Sequence, residues 1–598
     1  MPSNTRRRLL RHLAVPALAV AVVAALPMAG PSAQGGKPMP AAWTPMTPVS
    51  VSYGVSAGAS TADGNLLAFN DFHGAIDPPT GSAGNINGTP AGGVEYLTTT
   101  VKELRAAARA EGRRSVTVGA GDLVGATPLV SAAFHDEPTI EAMNNLGMEI
   151  SSVGNHEFDE GTDELKRLQF GGCHPVDGCQ DGDGFRGASF TYLSANVVSK
   201  RTGLPLLLPI NIKIVDGAPV GFVGMTLEGT PSIVNPAGIA GVEFKDEVAT
   251  ANKYAALLRL IGIKSLVLLI HEGGAQTTPA PQPVDGCAGF AGPITDIVAG
   301  LRPEYGIVVS GHTHQFYSCQ LPNSAGVPTV VTSAGSNGRL VTDIDFTVDT
   351  RTGRFADIAA HNVIVQNNDP ARIDASAKAI ADKYRTAVAP IANEVVGSIT
   401  GDILRAAGPN GESPLGDVIA DAQLGYTQSA NAQIALMNPG GIRADLIYAQ
   451  SPGGEAPGQV TYGECFTVQP FNNLVVTQTF TGAQIKDVLE QQFIGFGGQT
   501  VQRILQPSAG FTYSFDSTAP AGSRVSAIAL NGTPIDPAAT YRVTTNDFLA
   551  NGGDGFTNLT AGTDRTTAPG FDIDALVALL GAGAPVGPGP ANRITRIA

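Results

Sequence analysis

The stretch Ser152-Val-Gly-Asn-His-Glu-Phe-Asp159 decides how the first half of this chain is read. An apolar run reaches a glycine and then delivers Asn155, His156 and Asp159, side chains that ligate metal ions or move protons. Four further apolar runs end the same way. Leu66-Leu-Ala-Phe-Asn70 leads into Asp71 and His73, and Val116-Thr-Val-Gly-Ala-Gly121 leads into Asp122. Leu266-Val-Leu-Leu-Ile270 leads into His271, and Gly306-Ile-Val-Val-Ser-Gly311 leads into His312 and His314. Short apolar runs bounded by turn residues read as buried strands. In an α/β sheet the carboxyl ends of the strands converge on the ligand site. The expectation is one sheet edge where Asp, Asn and His surround a pair of transition-metal ions, which implies hydrolytic chemistry. Gly154 and Gly311 are expected to let the backbone turn sharply at two of these strand ends. Any one of the side chains is as well explained as a cap or a satisfied core residue; the repetition carries the reading.

A chain of 598 residues exceeds what one hydrophobic core organises, so two domains are expected. A formal net charge of −15 offers no extended basic surface and argues against a nucleic-acid polymer as partner, while small phosphorylated molecules remain allowed. Arg6, Arg7, Arg8 and Arg11 precede an apolar stretch from Leu13 to Ala25 and then Pro27, Gly30 and Ala33. This reads as a signal peptide over residues 1–33, with an apolar stretch shorter than a membrane span needs. The run Thr5 to Arg11 also resembles a twin-arginine export signal. A secreted, extracytoplasmic protein without stable membrane insertion is expected. Cysteine usage fits that compartment: Cys173 is expected to bridge Cys179, and Cys287 to bridge Cys319, leaving Cys465 as a buried free thiol.

Residues 34–61 are rich in Pro, Ala, Ser and Gly without periodicity and read as a flexible lead-in. From residue 62 to 366, short β-branched runs alternate with amphipathic segments at Val94–Ala110, Thr162–Leu168 and Val248–Leu260, the pattern of layered α/β architecture. A strand pair near Thr329–Thr332 and Leu340–Thr347 is expected to close this domain. Residues 367–394 hold a connector helix, Asp374 to Ala392. Residues 395–598 mix strands, such as Leu474–Thr479 and Tyr541–Thr545, with helices near Leu415–Leu424 and Gly482–Gln491, and read as a separate α+β domain.

Asn70-Asp-Phe-His-Gly74, Gly121-Asp122, Gly154-Asn-His-Glu-Phe-Asp159 and Gly311-His-Thr-His314 together resemble the motifs of the 5′-nucleotidase family, a branch of the calcineurin-like metallophosphoesterases. The resemblance runs from about Leu66 to Thr557. It implies an α/β/β/α metallophosphoesterase domain followed by an α+β substrate-binding domain, with two divalent ions as cofactors. One ion would be held by Asp71, His73, Asp122 and His314, the other by Asp122, Asn155, His271 and His312, with Asp122 bridging. Zinc, manganese, iron or cobalt suits such mixed donors. The resemblance makes His156 and Asp159 a catalytic dyad. The chemistry agrees, because a phosphomonoester needs a donor for its leaving oxygen beyond what metal ions supply.

In the second domain, Asn438-Pro-Gly-Gly-Ile-Arg443 resembles the family segment whose asparagine contacts the base and whose arginine contacts phosphate. Phe471 and Phe548 match the two aromatics that sandwich the base, and Asp554 matches the acid that holds the ribose hydroxyls. Two aromatic faces suit any flat base, and a planar guanidinium suits phosphate. Gly411-Glu-Ser-Pro-Leu-Gly-Asp417 departs from the family, which carries an Arg-x-Arg pair before this box; the phosphate clamp is expected to rest on Arg405 and Arg443. The reading is a phosphohydrolase acting on 5′-nucleotides. The alternatives are 2′,3′-cyclic nucleotides, 3′-nucleotides or UDP-sugars on the same fold, and, from another class, a non-catalytic extracellular nucleotide binder.

Overall fold

A computed structural model describes residues 48–597, without 59, 80–83, 180–181, 237 and 278–280. The expected signal peptide and the lead-in up to residue 47 lie outside the described residues. The apolar runs form strands of two sheets, as the α/β/β/α layering implied by the family resemblance requires; the single edge read from the runs alone is divided between them. Thr61–Phe69, Arg114–Ala120 and Ile150–Ser152 are parallel neighbours in a seven-stranded sheet. Ser265–His271 and Tyr305–Ser310 are parallel neighbours in a six-stranded sheet. Strands buried on both faces read as continuous apolar runs whichever sheet they join, so only their alternate positions reveal the layering. Val267, Leu269, Ile307 and Val309 pack against Leu66, Ala68, Val116 and Val118 between the sheets. Leu266, Leu268, Ile270 and Val308 instead pack under the helices Glu247–Leu260 and Pro293–Gly300. The helix Val94–Ala110, burying Leu97, Val101 and Leu104, covers the other sheet and completes the order helix, sheet, sheet, helix.

Two expectations are corrected. Pro328–Ala334 and Leu340–Asp349 do not pair; the first joins the six-stranded sheet and the second the seven-stranded one, between Arg354–Ile364 and Thr61–Phe69. Within the supposed lead-in, Val49–Ser52 forms an edge strand antiparallel to Asp357–Ala360. Its Val-Ser-Val-Ser alternation is too short to stand out beside a Pro-rich segment, and its partner lies hundreds of residues away.

The connector helix Ala375–Ala392 starts where the Asp374 carboxylate accepts the N–H groups of Ser376 and Ala377. It buries Ala377, Ala381, Tyr384 and Val388, and its Arg385 pairs with Asp77 at 2.6 Å and Glu95 at 2.7 Å. The chain then enters an α+β region built on a five-stranded and a four-stranded sheet, with Ile434, Phe480, Val488, Leu489, Phe511 and Phe515 in their shared core. Cys173–Cys179 and Cys287–Cys319 are disulfides, and Cys465 is a buried free thiol. Among the described residues, no helix is long and apolar enough to cross a membrane.

Candidate active site

The carboxyl ends of both sheets meet at one point. Asp71 and His73 follow Thr61–Phe69, Asp122 follows Arg114–Ala120, and Asn155 and His156 follow Ile150–Ser152; His271 ends its strand, and His312 and His314 follow Tyr305–Ser310. Two donor clusters result, Asp71 with His73 and His314, and Asp122 with His271 and His312, and a third group, His73 with Asp122 and His156, bridges them. His73 Nε2 faces His314 Nε2 at 3.1 Å, and His312 Nδ1 faces Asn155 Oδ1 at 3.0 Å. Asp122 Oδ2 lies 2.8 Å from His271 Nε2 and 3.8 Å from His73 Nε2, between the clusters.

The backbone explanation offered for the glycines is corrected. Gly154 and Gly311 do not adopt left-handed backbone; Asp71, His73, Asp122, His312 and His314 do, with φ of 50°, 48°, 50°, 70° and 56°. Left-handed non-glycine residues are strained and persist where the surroundings over-determine them, commonly at functional sites. The glycines are required by close approach instead. A Cβ on Gly154 would overlap Asp122, and one on Gly311 would press on Ala120 O and His271 Nδ1 at 2.9 Å.

The arrangement fits metal ions. His73 Nδ1 donates to Gly125 O at 2.8 Å and His271 Nδ1 to Ala120 O at 2.7 Å, which leaves each Nε2 lone pair aimed inward, as in metal-ligating imidazoles. Buried His271 Nε2 has no well-formed hydrogen bond despite its closeness to Asp122. Burial drives His73 and His312 down to about 3 and His314 well below the ordinary histidine range, so these rings are neutral donors. At His271 burial acts in the same direction, but Asp122 and Asp71 overcome it and raise the group to about 10. Two buried carboxylates demand a cation there, a proton or a metal ion.

His156 Nδ1 lies 2.7 Å from Asp159 Oδ2, and the His156 N–H donates to Asp122 Oδ1 at 2.9 Å, so the dyad is tied to the metal-type cluster. Burial lowers the His156 imidazole, but Asp159 and Asp122 more than compensate and raise it overall. Glu157, between the dyad residues, was given no role by sequence reasoning. Its buried carboxylate accepts the N–H groups of Asp122 at 2.9 Å, Leu123 at 2.8 Å and Gly154 at 2.5 Å, clamping two strand ends together.

The second domain contributes to the same cleft. The Phe471 ring lies parallel to His156, 5.8 Å between centroids, and the Arg443 guanidinium stands 5.7 Å from the Phe471 ring. Asp554 accepts from Asn438 Nδ2 at 2.8 Å, and Phe548 packs against Gly553 beside it. Arg405 is exposed; its N–H donates to Asp445, and its charge depresses Arg443, which burial depresses first. Sequence reasoning missed Arg503, whose Nε lies 3.1 Å from Asp554 Oδ1 and whose charge helps depress His312, after burial and His271. No local motif marks it. The Gly411–Asp417 box supports the segment behind it: Ser413 N–H donates to Gln506 Oε1 at 2.6 Å, and Gln506 Nε2 donates to Gly411 O at 3.0 Å. Glu412 meanwhile accepts the N–H groups of Arg593 at 2.7 Å and Ile594 at 2.9 Å, so this box anchors the last strand.

A layered α/β domain that gathers metal-type donors at its strand ends, followed by an α+β domain sharing the cleft, is the two-domain architecture of 5′-nucleotidase structures with a metallophosphoesterase domain. Residues 395–561 match the family described as 5'-nucleotidase, C-terminal domain, and the chain belongs to the 5′-nucleotidase family. It is similar to the endonuclease YhcR of Bacillus subtilis, 33% identical over 81% of this chain and 37% of the relative. It is also similar to the cell wall protein Lmo0130 of Listeria monocytogenes, 32% identical over 84% of this chain and 64% of the relative. The chain thus spans less than two thirds of the length of these two relatives. The crystal structure of the 5'-nucleotidase precursor from Thermus thermophilus superposes with a TM-score of 0.72 at 27% identity, covering 89% of this chain and 99% of that one.

Proposed function

We propose that this chain is a secreted phosphohydrolase that uses two metal ions to release phosphate from 5′-nucleotides. The observation that carries the reading is the meeting of His156, Phe471 and Arg443. A proton-moving imidazole lies parallel to an aromatic face at 5.8 Å, with a guanidinium 5.7 Å from that same face, beside the metal-type cluster. One ion would be held by Asp71, His73, Asp122 and His314, the other by Asp122, Asn155, His271 and His312. When bound, such ions supply Lewis acidity to phosphoryl oxygens and acidify water.

The chain's own residues do the rest. His156, oriented by Asp159, donates a hydrogen bond or a proton to the leaving ester oxygen. Arg443 and Arg405 balance phosphate charge. Phe471 and Phe548 offer faces to the base, Asn438 its polar edge, and Asp554 accepts from the ribose hydroxyls. Arg503 holds the Asp554 carboxylate in position. The Thermus relative, named a 5'-nucleotidase and covered over 99% of its length, supports this reading. Two disulfides and a relative named a cell wall protein support a location outside the cytoplasm.

A second reading, hydrolysis of phosphodiesters such as 2′,3′-cyclic nucleotides or of the pyrophosphate of UDP-sugars, is favoured by the absent arginine pair before Gly411–Asp417 and by the relative named an endonuclease. Product analysis after incubating AMP, ADP, UDP-glucose and 2′,3′-cyclic AMP with metal-reconstituted protein separates the two, because the cyclic diester and the UDP-sugar are cleaved to phosphomonoesters without releasing phosphate. AMP is expected to be the best substrate; turnover of diesters alone would overturn the first reading.

A further inference from the structure

Away from the cleft, a second cluster of histidine and carboxylate donors is built from three separate segments. His135 joins the helices Leu129–Ala132 and Glu137–Leu146, Glu160 immediately precedes the helix Gly161–Phe170, and His174 and Asp177 lie in the loop closed by Cys173–Cys179. Asp177 Oδ2 lies 2.9 Å from His135 Nε2 and 3.1 Å from His174 Nδ1. Glu160 Oε2 stands 3.6 Å from the other ring nitrogen of His135, and the two imidazoles stack with centroids 3.7 Å apart. One donor atom each from His135, Glu160 and His174 falls within 4.8 Å of the others.

Several features indicate a built site. Val176 of the disulfide loop is 84% exposed, while His174 is turned inward and Asp177 is about half exposed at the rim of the cluster. Buried Arg167 donates from Nη2 to His135 O and from Nη1 to Gly172 O, both at 3.0 Å, so one guanidinium fixes the His135 connector and the entry to the disulfide loop together. His135 and Asp136 are both held in left-handed backbone, with φ of 50° and 58°. Stacked imidazoles between two carboxylates have little apolar reason to associate, and they repel one another when both are protonated.

We propose that this cluster binds a divalent transition-metal ion of the zinc class, with His135 Nε2, His174 and Asp177 as ligands. Glu160, on the Nδ1 side of His135, is then the outer carboxylate that orients a ligating imidazole. The ion clips the disulfide loop to the connector between the helices Leu129–Ala132 and Glu137–Leu146. Rings inclined by only 13° cannot both direct in-plane lone pairs at one ion. Binding therefore turns the His174 ring out of the stack, releasing the Asp177 N–H that approaches its Nδ1 at 3.2 Å.

The test uses the full chain with its catalytic site already loaded with metal. Wild type, His135→Gln/His174→Gln and Glu160→Gln are titrated with Zn²⁺ and with Co²⁺; metal content is measured after gel filtration, and the Co²⁺ spectrum is recorded. Wild type is expected to retain about one equivalent more than the double variant, as a single mononuclear site requires. Hydrolysis of p-nitrophenyl phosphate should be unchanged. Glu160→Gln, at an exposed position that leaves both rings intact, should weaken the extra site by about 10–100-fold, the usual effect of losing an outer partner. Equal metal content and equal Co²⁺ affinity in all three proteins would overturn the proposal. The metal readout stands whatever substrate the cleft turns over.

Discussion

The metal-type cluster and the residues proposed to face the nucleotide share one cleft but are built on different plans. Each donor of the cluster sits at or within a few residues of a strand end, and five of the donors hold left-handed backbone. Buried Glu157 locks two of those strand ends from behind. The facing half is drawn from mixed elements, Asn438 just after the strand Ile434–Met437, Phe548 in the short helix Asp547–Ala550, Asp554 in the turn Gly553–Gly555, and Phe471 and Arg503 in loops, with Arg405 exposed and both phenylalanines half-buried. The contrast separates chemistry from recognition. The first half is a rigid device whose geometry comes from strand ends, and the second is assembled by tertiary contact and the mutual approach of two domains, where movement often limits turnover.

If the contrast is sound, the largest effects belong to the rigid half. Asp122→Asn is expected to abolish turnover and lower bound metal, because Asp122 reaches donors of both clusters. Wild-type activity with both ions retained would break the assignment. His156→Ala should keep the metal content and lose about 10²–10⁴-fold in kcat, the usual contribution of a positioned proton donor. Elemental analysis decides: a lost ion would make His156 a ligand and dissolve the dyad.

The same contrast explains what the sequence made legible. The helix Val94–Ala110 and the connector Ala375–Ala392 follow directly from periodicity and from Asp374 as a cap, because those signals are local. The donors Asp71 to His314 were legible because each follows an apolar run. Which of the two sheets each strand joins was not, since Ser265–His271 is buried along its whole length. The need for glycine at 154 and 311 was visible, but its cause, close approach across the site, exists only after folding. Glu157 stood inside the motif, yet its three acceptor contacts require two strand ends to meet. Arg503 has no local signature at all, because its partner Asp554 is brought to it by the tertiary fold.

Arg503 therefore sharpens the comparison from the recognition side. Asp554 is buried, and burial raises its carboxyl, while Arg503 and Asn438 act to keep it ionised. Arg503→Met is expected to lower kcat/KM for AMP by about 10–100-fold, the range for losing a hydrogen bond to a charged group. Metal content and p-nitrophenyl phosphate hydrolysis should hold. AMP lacking both ribose hydroxyls should be nearly insensitive to the change. If that analogue suffers as much as AMP, Arg503 supports the fold rather than the ribose acid.

The smallest effects belong to the two aromatics, and their difference probes where recognition meets chemistry. Phe548 packs on Gly553 and against the core of the second domain, so Phe548→Ala should weaken nucleotide use by about 1 kcal/mol, the low end for one stacked base, and leave p-nitrophenyl phosphate untouched. Phe471 faces the base on one reading and lies parallel to His156 in the structure, 5.8 Å away. Its removal should cost nucleotides a similar amount but also perturb kcat for p-nitrophenyl phosphate, because it opens one side of the dyad imidazole to water. Measuring both substrates for both variants distinguishes the cases. Equal losses on both substrates from Phe548→Ala would make that ring a packing residue. A Phe471→Ala enzyme with unchanged p-nitrophenyl phosphate kinetics would mean that the second domain reads the base without supporting the catalytic imidazole, and the two halves of the cleft would be independent.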